Sequence, residues 1–345
     1  MTEQSGAETI LKVDHLSVVF HTYAGVVQAV RDVSISLKRG EVLAIVGESG
    51  SGKSVTAQAI MGLTPIPPGE IRSGAAVYDD VDMVRATADD LARIRGAGIS
   101  MIFQDPMTSL NPSMQIGTQI REVLHQHRAM SRADSLSHAI ELLRLVGIPE
   151  AESRLVQYPH QFSGGMRQRI MIAIAIANNP DILIADEPTT ALDVTIQSQI
   201  FRLIREVQRK FGTAMVLITH DLGLVAGMAD RVAVMYGGRI VEEGPRDQIY
   251  YNPQHPYTFG LLRAIPRLSD RSDAPLRTIE GLPPLLIDPP EACAFASRCP
   301  FVMKICRQQD PGYFTPLANN RVACWLHHKQ AAAQCQNFMA ARALA

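Results

Sequence analysis

The stretch EVLAIVGESGSGKS, residues 41–54, decides the fold. Its first seven residues are a short apolar run that ends on Gly47, the pattern of a buried parallel strand. GESGSGKS, residues 47–54, then matches G-x-x-x-x-G-K-[ST] and opens a helical stretch running from Lys53 to about Gly62. The residue types follow from the chemistry of a bound polyphosphate. Such a ligand needs many donors and little steric bulk, so Gly47, Gly50 and Gly52 let successive backbone N–H groups curl around a β-phosphate. Glu48, Ser49 and Ser51 complete the loop, and Val55 continues into the helix, whose positive dipole end faces the anion. Lys53 reaches the β- and γ-oxygens as a point charge, and the Ser54 hydroxyl suits Mg²⁺, a hard ion that prefers oxygen.

A phosphate site of this kind needs a carboxylate at the tip of another strand. DILIADE, residues 181–187, is an apolar run ending in Asp186 and Glu187. Asp186 is expected in the Mg²⁺ shell, and Glu187 is expected to orient and polarise the attacking water. Further strands are expected at 11–20, 30–38, 99–104 and 214–220, with a hairpin over 231–244 turning at Gly237–Gly238. TPIPPGE from Thr64 is a loop. Residues 115–178 read as helical, with Ser131 and Asp134 as a capping box and Leu136, Ile140 and Leu143 on one face. Ile196, Ile200, Leu203, Ile204 and Val207 give the helix 194–210 its stripe. Strands alternating with helices predict an α/β domain with a mainly parallel sheet, ending near residue 245. A proline-rich, loop-rich extension follows, and the last residues from 329 read as a short helix or frayed tail.

The 345 residues carry 33 basic and 34 acidic side chains, a balance that argues against a protein coating nucleic acid. The N-terminus lacks a secretory pattern, and no run approaches the roughly 18 apolar residues that cross a bilayer. The chain is therefore expected to be soluble, or held at a membrane through a partner. All five cysteines lie after residue 290, which points to a local site. Cys293, Cys299, Cys306 and Cys324 can converge on one centre, and thiolates favour Zn²⁺ or iron–sulfur. Their gaps are wider than the usual zinc pairs. Free thiols or an adventitious disulfide are the third possibility.

FSGGMRQR, residues 162–169, lies between the two phosphate-site elements and resembles the LSGGQ signature of ATP-binding cassette (ABC) ATPases. Ser163, Gly164 and Gly165 keep the pattern, while Phe162 and Met166 depart from it. Gln104 in MIFQDP resembles the Q-loop, ALD at 191–193 with Asp193 the D-loop, and His220 in ITHD the switch histidine. Phe20, with Tyr23 as competitor, matches the aromatic that stacks on adenine. NPQHPYTFGLLRAIP at 252–266, QDPMTSLNP and DEPTTALDVTIQ resemble the dipeptide, oligopeptide and nickel importer branch.

The resemblance implies a P-loop NTPase fold with a RecA-like parallel core, an antiparallel β subdomain, a helical signature subdomain and a small cysteine-containing extension. It places the ATPase domain at 10–245, the helical subdomain at about 105–178, the extension at 246–330 and a tail at 331–345. It implies MgATP hydrolysis coupled to uptake of dipeptides or short oligopeptides. Two such ATPases pack head to tail, so Ser163 and Gly165 serve the ATP held by the partner. Gln104 senses Mg²⁺ and water, Glu187 is the general base, and His220 contacts the γ-phosphate. The implied partners are two integral membrane permeases, a second ATPase that is a paralogue rather than an identical copy, and indirectly an extracytoplasmic solute-binding protein. The implied location is peripheral, on the cytoplasmic face of the inner membrane. Family members bind a [4Fe-4S] cluster through cysteines spaced as Cys293, Cys299, Cys306 and Cys324, which leaves Cys335 free. Nickel, an antimicrobial peptide, or action on ribosomes or DNA are the competing readings. Met101, Met107 and Met114 are read either as a groove for a membrane subunit or as core.

Overall fold

The computed structural model describes residues 8–190, 193–265, 278–287, 289 and 291–343. They form two compact units, one of residues up to 11, 37–42 and 79–218, the other of residues 12–36, 43–78 and 219–345.

In the first unit the strands Ile99–Ile102, Ile182–Asp186 and Ala214–Thr219 run parallel, with Ile99 opposite Ile182 and Asp186 opposite Ile218. Every residue of the central strand is buried, as its continuous apolar run requires of a strand covered on both faces. The helix Val194–Phe211 buries Ile200, Phe201, Leu203, Ile204 and Val207, with Ile196 half-buried. It starts at Asp193, whose side chain accepts from Ile196 N–H, and stops at Gly212 in a left-handed conformation.

The expected helical stretch is four helices, Ile116–His127, Arg132–Leu145, Ala151–Arg154 and Gly164–Ile176, and the last packs on the strand Ile99–Ile102. Ser131 accepts from Asp134 N–H at 3.1 Å, and Asp134 returns its carboxylate to the Ser131 hydroxyl. The expected face of Leu136, Ile140 and Leu143 is corrected. Leu136 is exposed and Ile140 half-buried, while Ser135, Ala139, Leu142 and Leu143 line the core. The buried stripe is offset by one residue, about 100° round the helix, from the expected one.

In the second unit the strand Val42–Val46 runs parallel to Arg231–Tyr236, which turns at Gly237–Gly238 into Arg239–Pro245 as expected. The strands Thr9–Thr22, Gly25–Lys38 and Gly69–Tyr78 build a second sheet. Val33, Ile35 and Leu37 are buried, the alternation read from sequence. Pro65–Pro68 is a turn with two cis-proline bonds.

The extension is more than loops. Asn320–Val322 pairs antiparallel with Arg239–Pro245, and Phe314–Leu317 adds beyond it. The frayed-tail alternative is also corrected, because the helix Ala332–Ala343 is docked by fully buried Phe338 against Phe259, Val322, Cys324 and Leu326. Glu242 explains the attachment. Its buried carboxylate accepts from Gln254 N–H at 2.7 Å and His255 N–H at 2.9 Å, caging the start of the helix Pro256–Arg263.

Candidate functional site

Residues 47–54 adopt the cradle their composition predicts. Gly47 has φ +155°, and a Cβ there would stand 2.1 Å from the Met235 carbonyl oxygen. Gly50 and Gly52 have φ +76° and +103°, and Gly52 caps the helix Lys53–Ile60. The first turn of that helix carries no acidic side chain to compete with an anion. Lys53 is buried and donates from Nζ to the carbonyls of Gly47 and Glu48, both at 2.9 Å. The buried Ser51 Oγ finds no hydrogen-bond partner among the described residues, an acceptor or donor left over inside the loop. Ser54 and Val55 are half-buried, and Ser49 and Gly50 are exposed.

Glu48 behaves differently from its neighbours. Its N–H donates to the Tyr257 hydroxyl at 2.9 Å and its carboxylate is held by Arg298. Neither partner was legible in the sequence. Phe20 is half-buried, its ring beside Gly69, while Tyr23 in the following turn is fully exposed. His220 is exposed, next to Asp221, which caps the helix Leu222–Ala226.

In the other unit Asp186 is buried at the tip of its strand, and Glu187 follows with φ +44°, a left-handed conformation that costs a non-glycine residue. That turn aims the Glu187 carboxylate at Gln104, whose Nε2 donates to it at 3.1 Å. Thr190 Oγ1 donates to the same oxygen at 3.0 Å. The sequence reading missed Thr190, although its place three residues after the carboxylate was a usable signal.

Ser163 caps the helix Gly164–Ile176 by accepting from Met166 N–H at 3.4 Å, and its side chain is exposed. Gly165 leaves room for Ile196, whose Cγ2 would be 3.0 Å from a Cβ. Ala191 and Leu192 lie outside the described residues, and Asp193 is the helix cap given above. Of the three methionines, Met101 is core, Met107 exposed and Met114 half-buried, so they do not form one stripe.

The thiols of Cys293, Cys299, Cys306 and Cys324 lie near enough to act on one another electrostatically. Burial pushes Cys293 up to about 11, Cys299 up to about 12 and Cys324 well above its ordinary value. Cys293 N–H also bonds the Cys306 carbonyl at 3.0 Å. Cys335 is half-buried on the helix Ala332–Ala343. Among the described residues no three His, Cys, Asp or Glu side chains are placed to hold a single metal ion.

Known proteins resemble this chain over most of its length. The ABC transporter family model matches residues 30–190, and the oligopeptide/dipeptide transporter C-terminal region matches 241–306. The oligopeptide transport ATP-binding protein OppD of Bacillus subtilis is 53% identical over 322 residues, 93% of this chain and 90% of that protein. The dipeptide transport ATP-binding protein DppD of the same organism is 54% identical, covering 94% of this chain and 96% of that one. The post-hydrolysis dimer of the ATP-binding cassette MJ0796, bound to ADP and Pi, superposes with a TM-score of 0.61 at 28% identity, over 68% of this chain and 98% of that one.

Proposed function

The chain belongs to the ABC transporter family, in its oligopeptide and dipeptide branch, and from that premise we propose how its residues drive the cycle. It is the ATP-hydrolysing motor subunit of a peptide importer. Gly47–Val55 cradle the triphosphate and Lys53 neutralises it. Ser54, Asp186 and Gln104 would offer oxygens to Mg²⁺. Glu187 takes the proton from water as general base, and His220 steadies the γ-phosphate. Phe20, whose ring is braced beside the Gly69 backbone, stacks the adenine in preference to exposed Tyr23. Ser163, Gly164, Gly165 and Asp193 serve the nucleotide of the partner ATPase, a reading supported by the exposed helix N-terminus at Ser163, whose first turn carries no acidic side chain.

The observation that carries this reading is the Gln104–Glu187 hydrogen bond. The carboxylate that activates water is tied to the residue that opens the segment 105–178, so a change at the γ-phosphate moves the helices facing the permeases. The domains follow as the ATPase core at 10–245, the extension at 246–330 and the tail at 331–345. The partners are two membrane permeases, a paralogous second ATPase and, through them, an extracytoplasmic solute-binding protein, with no nucleic acid. The protein sits peripherally on the cytoplasmic face of the membrane. No helix among the described residues is long and apolar enough to cross it.

The cargo is a dipeptide or short oligopeptide. Purification of the tagged chain from native membranes in mild detergent tests this. Two permeases and a solute-binding protein that takes peptides are the expected result. Ribosomal or DNA-repair proteins without a permease, or a binding protein specific for nickel, overturn it.

Cys293, Cys299, Cys306 and Cys324 are the ligands of a [4Fe-4S] cluster. The four thiols lie near enough to act on one another electrostatically, and soft thiolates are the ligands that an iron–sulfur cluster takes. When bound, the cluster supplies a covalent cross-link and a one-electron couple to the extension. Iron and acid-labile sulfide near four per chain after anaerobic purification are expected. One zinc per chain, or less than one iron, overturns the assignment.

A further inference from the structure

Glu48 is an acidic residue inside a loop built to hold polyphosphate, and a free carboxylate there would repel the ligand. The structure removes that charge from the loop. Arg298 grips it as a fork, Nη1 to Oε2 at 2.6 Å and Nη2 to Oε1 at 3.0 Å, with the Arg298 side chain only 4% exposed. The guanidinium is itself fixed on every side. Its Nε donates to the Glu280 carbonyl at 2.9 Å, Nη2 to the Ile279 carbonyl at 3.1 Å and Nη1 to the Tyr236 hydroxyl at 3.3 Å. The Glu48 backbone is held separately by the Tyr257 hydroxyl, which sits among Tyr236 and Phe295. Arg298, Tyr257 and Phe295 all belong to the chain beyond residue 245, and Arg298 directly precedes Cys299. Lys53 leans on the Glu48 carbonyl, so displacement of Glu48 also disturbs the cationic group meant for phosphate.

We infer that Arg298 of the extension is a positioning residue of the ATP site, which neutralises Glu48 and turns it out of the phosphate loop. The inference rests on the reading of residues 47–54 as the ATP loop. It goes beyond that reading by making the cysteine-bearing extension part of the nucleotide site.

The test measures MgATP hydrolysis by the assembled transporter and ADP binding by the chain, for wild type, Arg298→Met, Glu48→Gln and the double variant. Arg298→Met is expected to raise KM for ATP and Kd for ADP about 5- to 20-fold, the scale of ordinary coupling between sites, with kcat nearly unchanged. Adding Glu48→Gln is expected to restore most of the affinity, because the uncompensated charge is gone. Should Arg298→Met fail to fold, Arg298→Lys keeps the charge without the fork and is expected to show an intermediate loss that Glu48→Gln again relieves. Wild-type affinity in Arg298→Met, or a double variant as weak as Arg298→Met, overturns the inference. A wild-type chain that binds no nucleotide overturns the reading of the loop and the inference together.

Discussion

Alanine at Gly52 should damage the phosphate loop far more than alanine at Gly50, although both glycines have positive φ. At Gly50 the backbone stands at φ +76° and a Cβ meets nothing within 4 Å among the described residues. The cost there is the left-handed backbone alone, about 1–2 kcal/mol. At Gly52 φ is +103°, outside the region alanine tolerates, and a Cβ would lie 2.3 Å from the Ala29 carbonyl oxygen and 2.8 Å from Met235 Cε. Strain of about 1–3 kcal/mol and overpacking of about 1–3 kcal/mol then act together, because the strand carrying Ala29 is backbone and cannot swing aside. With about 2–4 °C per kcal/mol for a unit of this size, Gly50→Ala should lower the unfolding midpoint by a few degrees and Gly52→Ala by roughly twice that or more. The assay is thermal unfolding with and without MgATP, since a bound ligand raises the midpoint. Gly50→Ala should keep the MgATP shift and Gly52→Ala should lose it. Equal losses in the two variants, or a Gly52→Ala protein that unfolds and binds like wild type, would refute the reasoning.

Glu187→Gln should lower ATP turnover about 10²–10⁴-fold while the MgATP shift persists, and turnover at the wild-type rate would remove Glu187 from the mechanism. His255 is buried, accepts from Tyr257 N–H on Nδ1, and is pushed down to about 3 by burial and by His327. The unfolded chain therefore binds a proton at this residue between about pH 6.5 and 3 that the folded chain does not, so its contribution to stability is complete above that window and lost as pH falls. Moving from pH 7.5 to 5.5 should lower the unfolding midpoint, and by less in His255→Asn. Glu242 beside it is pushed up by burial and titrates the other way, so the difference between the two proteins is the quantity to measure, and identical pH profiles would sink the assignment. Phe338→Ala should cost about 3–5 kcal/mol and make the helix Ala332–Ala343 an early trypsin site, whereas unchanged proteolysis would show that this helix is not held by its aromatic ring.

Much of the site was legible because its signals are local. A glycine every few residues, a lysine–serine pair and a preceding apolar run specify strand, loop and helix within 14 positions. The helix 194–210 was likewise legible from its apolar stripe, while its caps at Asp193 and Gly212 are given by the structure. Periodicity was weaker where the partner surface mattered, as Leu136 shows: the spacing put it inside, but the neighbouring helices close over Ala139 and Leu142 instead. The extension was the least legible part. Its proline-rich text reads as loop, yet Asn320–Val322 joins a sheet, and Glu242 holds the backbone of Gln254, twelve positions away and just before a helix start.

By itself, then, the sequence determined the phosphate loop, the strand that ends in Asp186 and Glu187, and the helix 194–210, since each depends on residues within a few positions of one another. Only the tertiary structure decided that Arg298 holds Glu48, across 250 positions of chain, that Tyr257 holds the same residue by its backbone, and that Gln104 meets Glu187. Such pairs follow from where folded segments come to rest, and distance in space leaves no periodic trace in the order of residues.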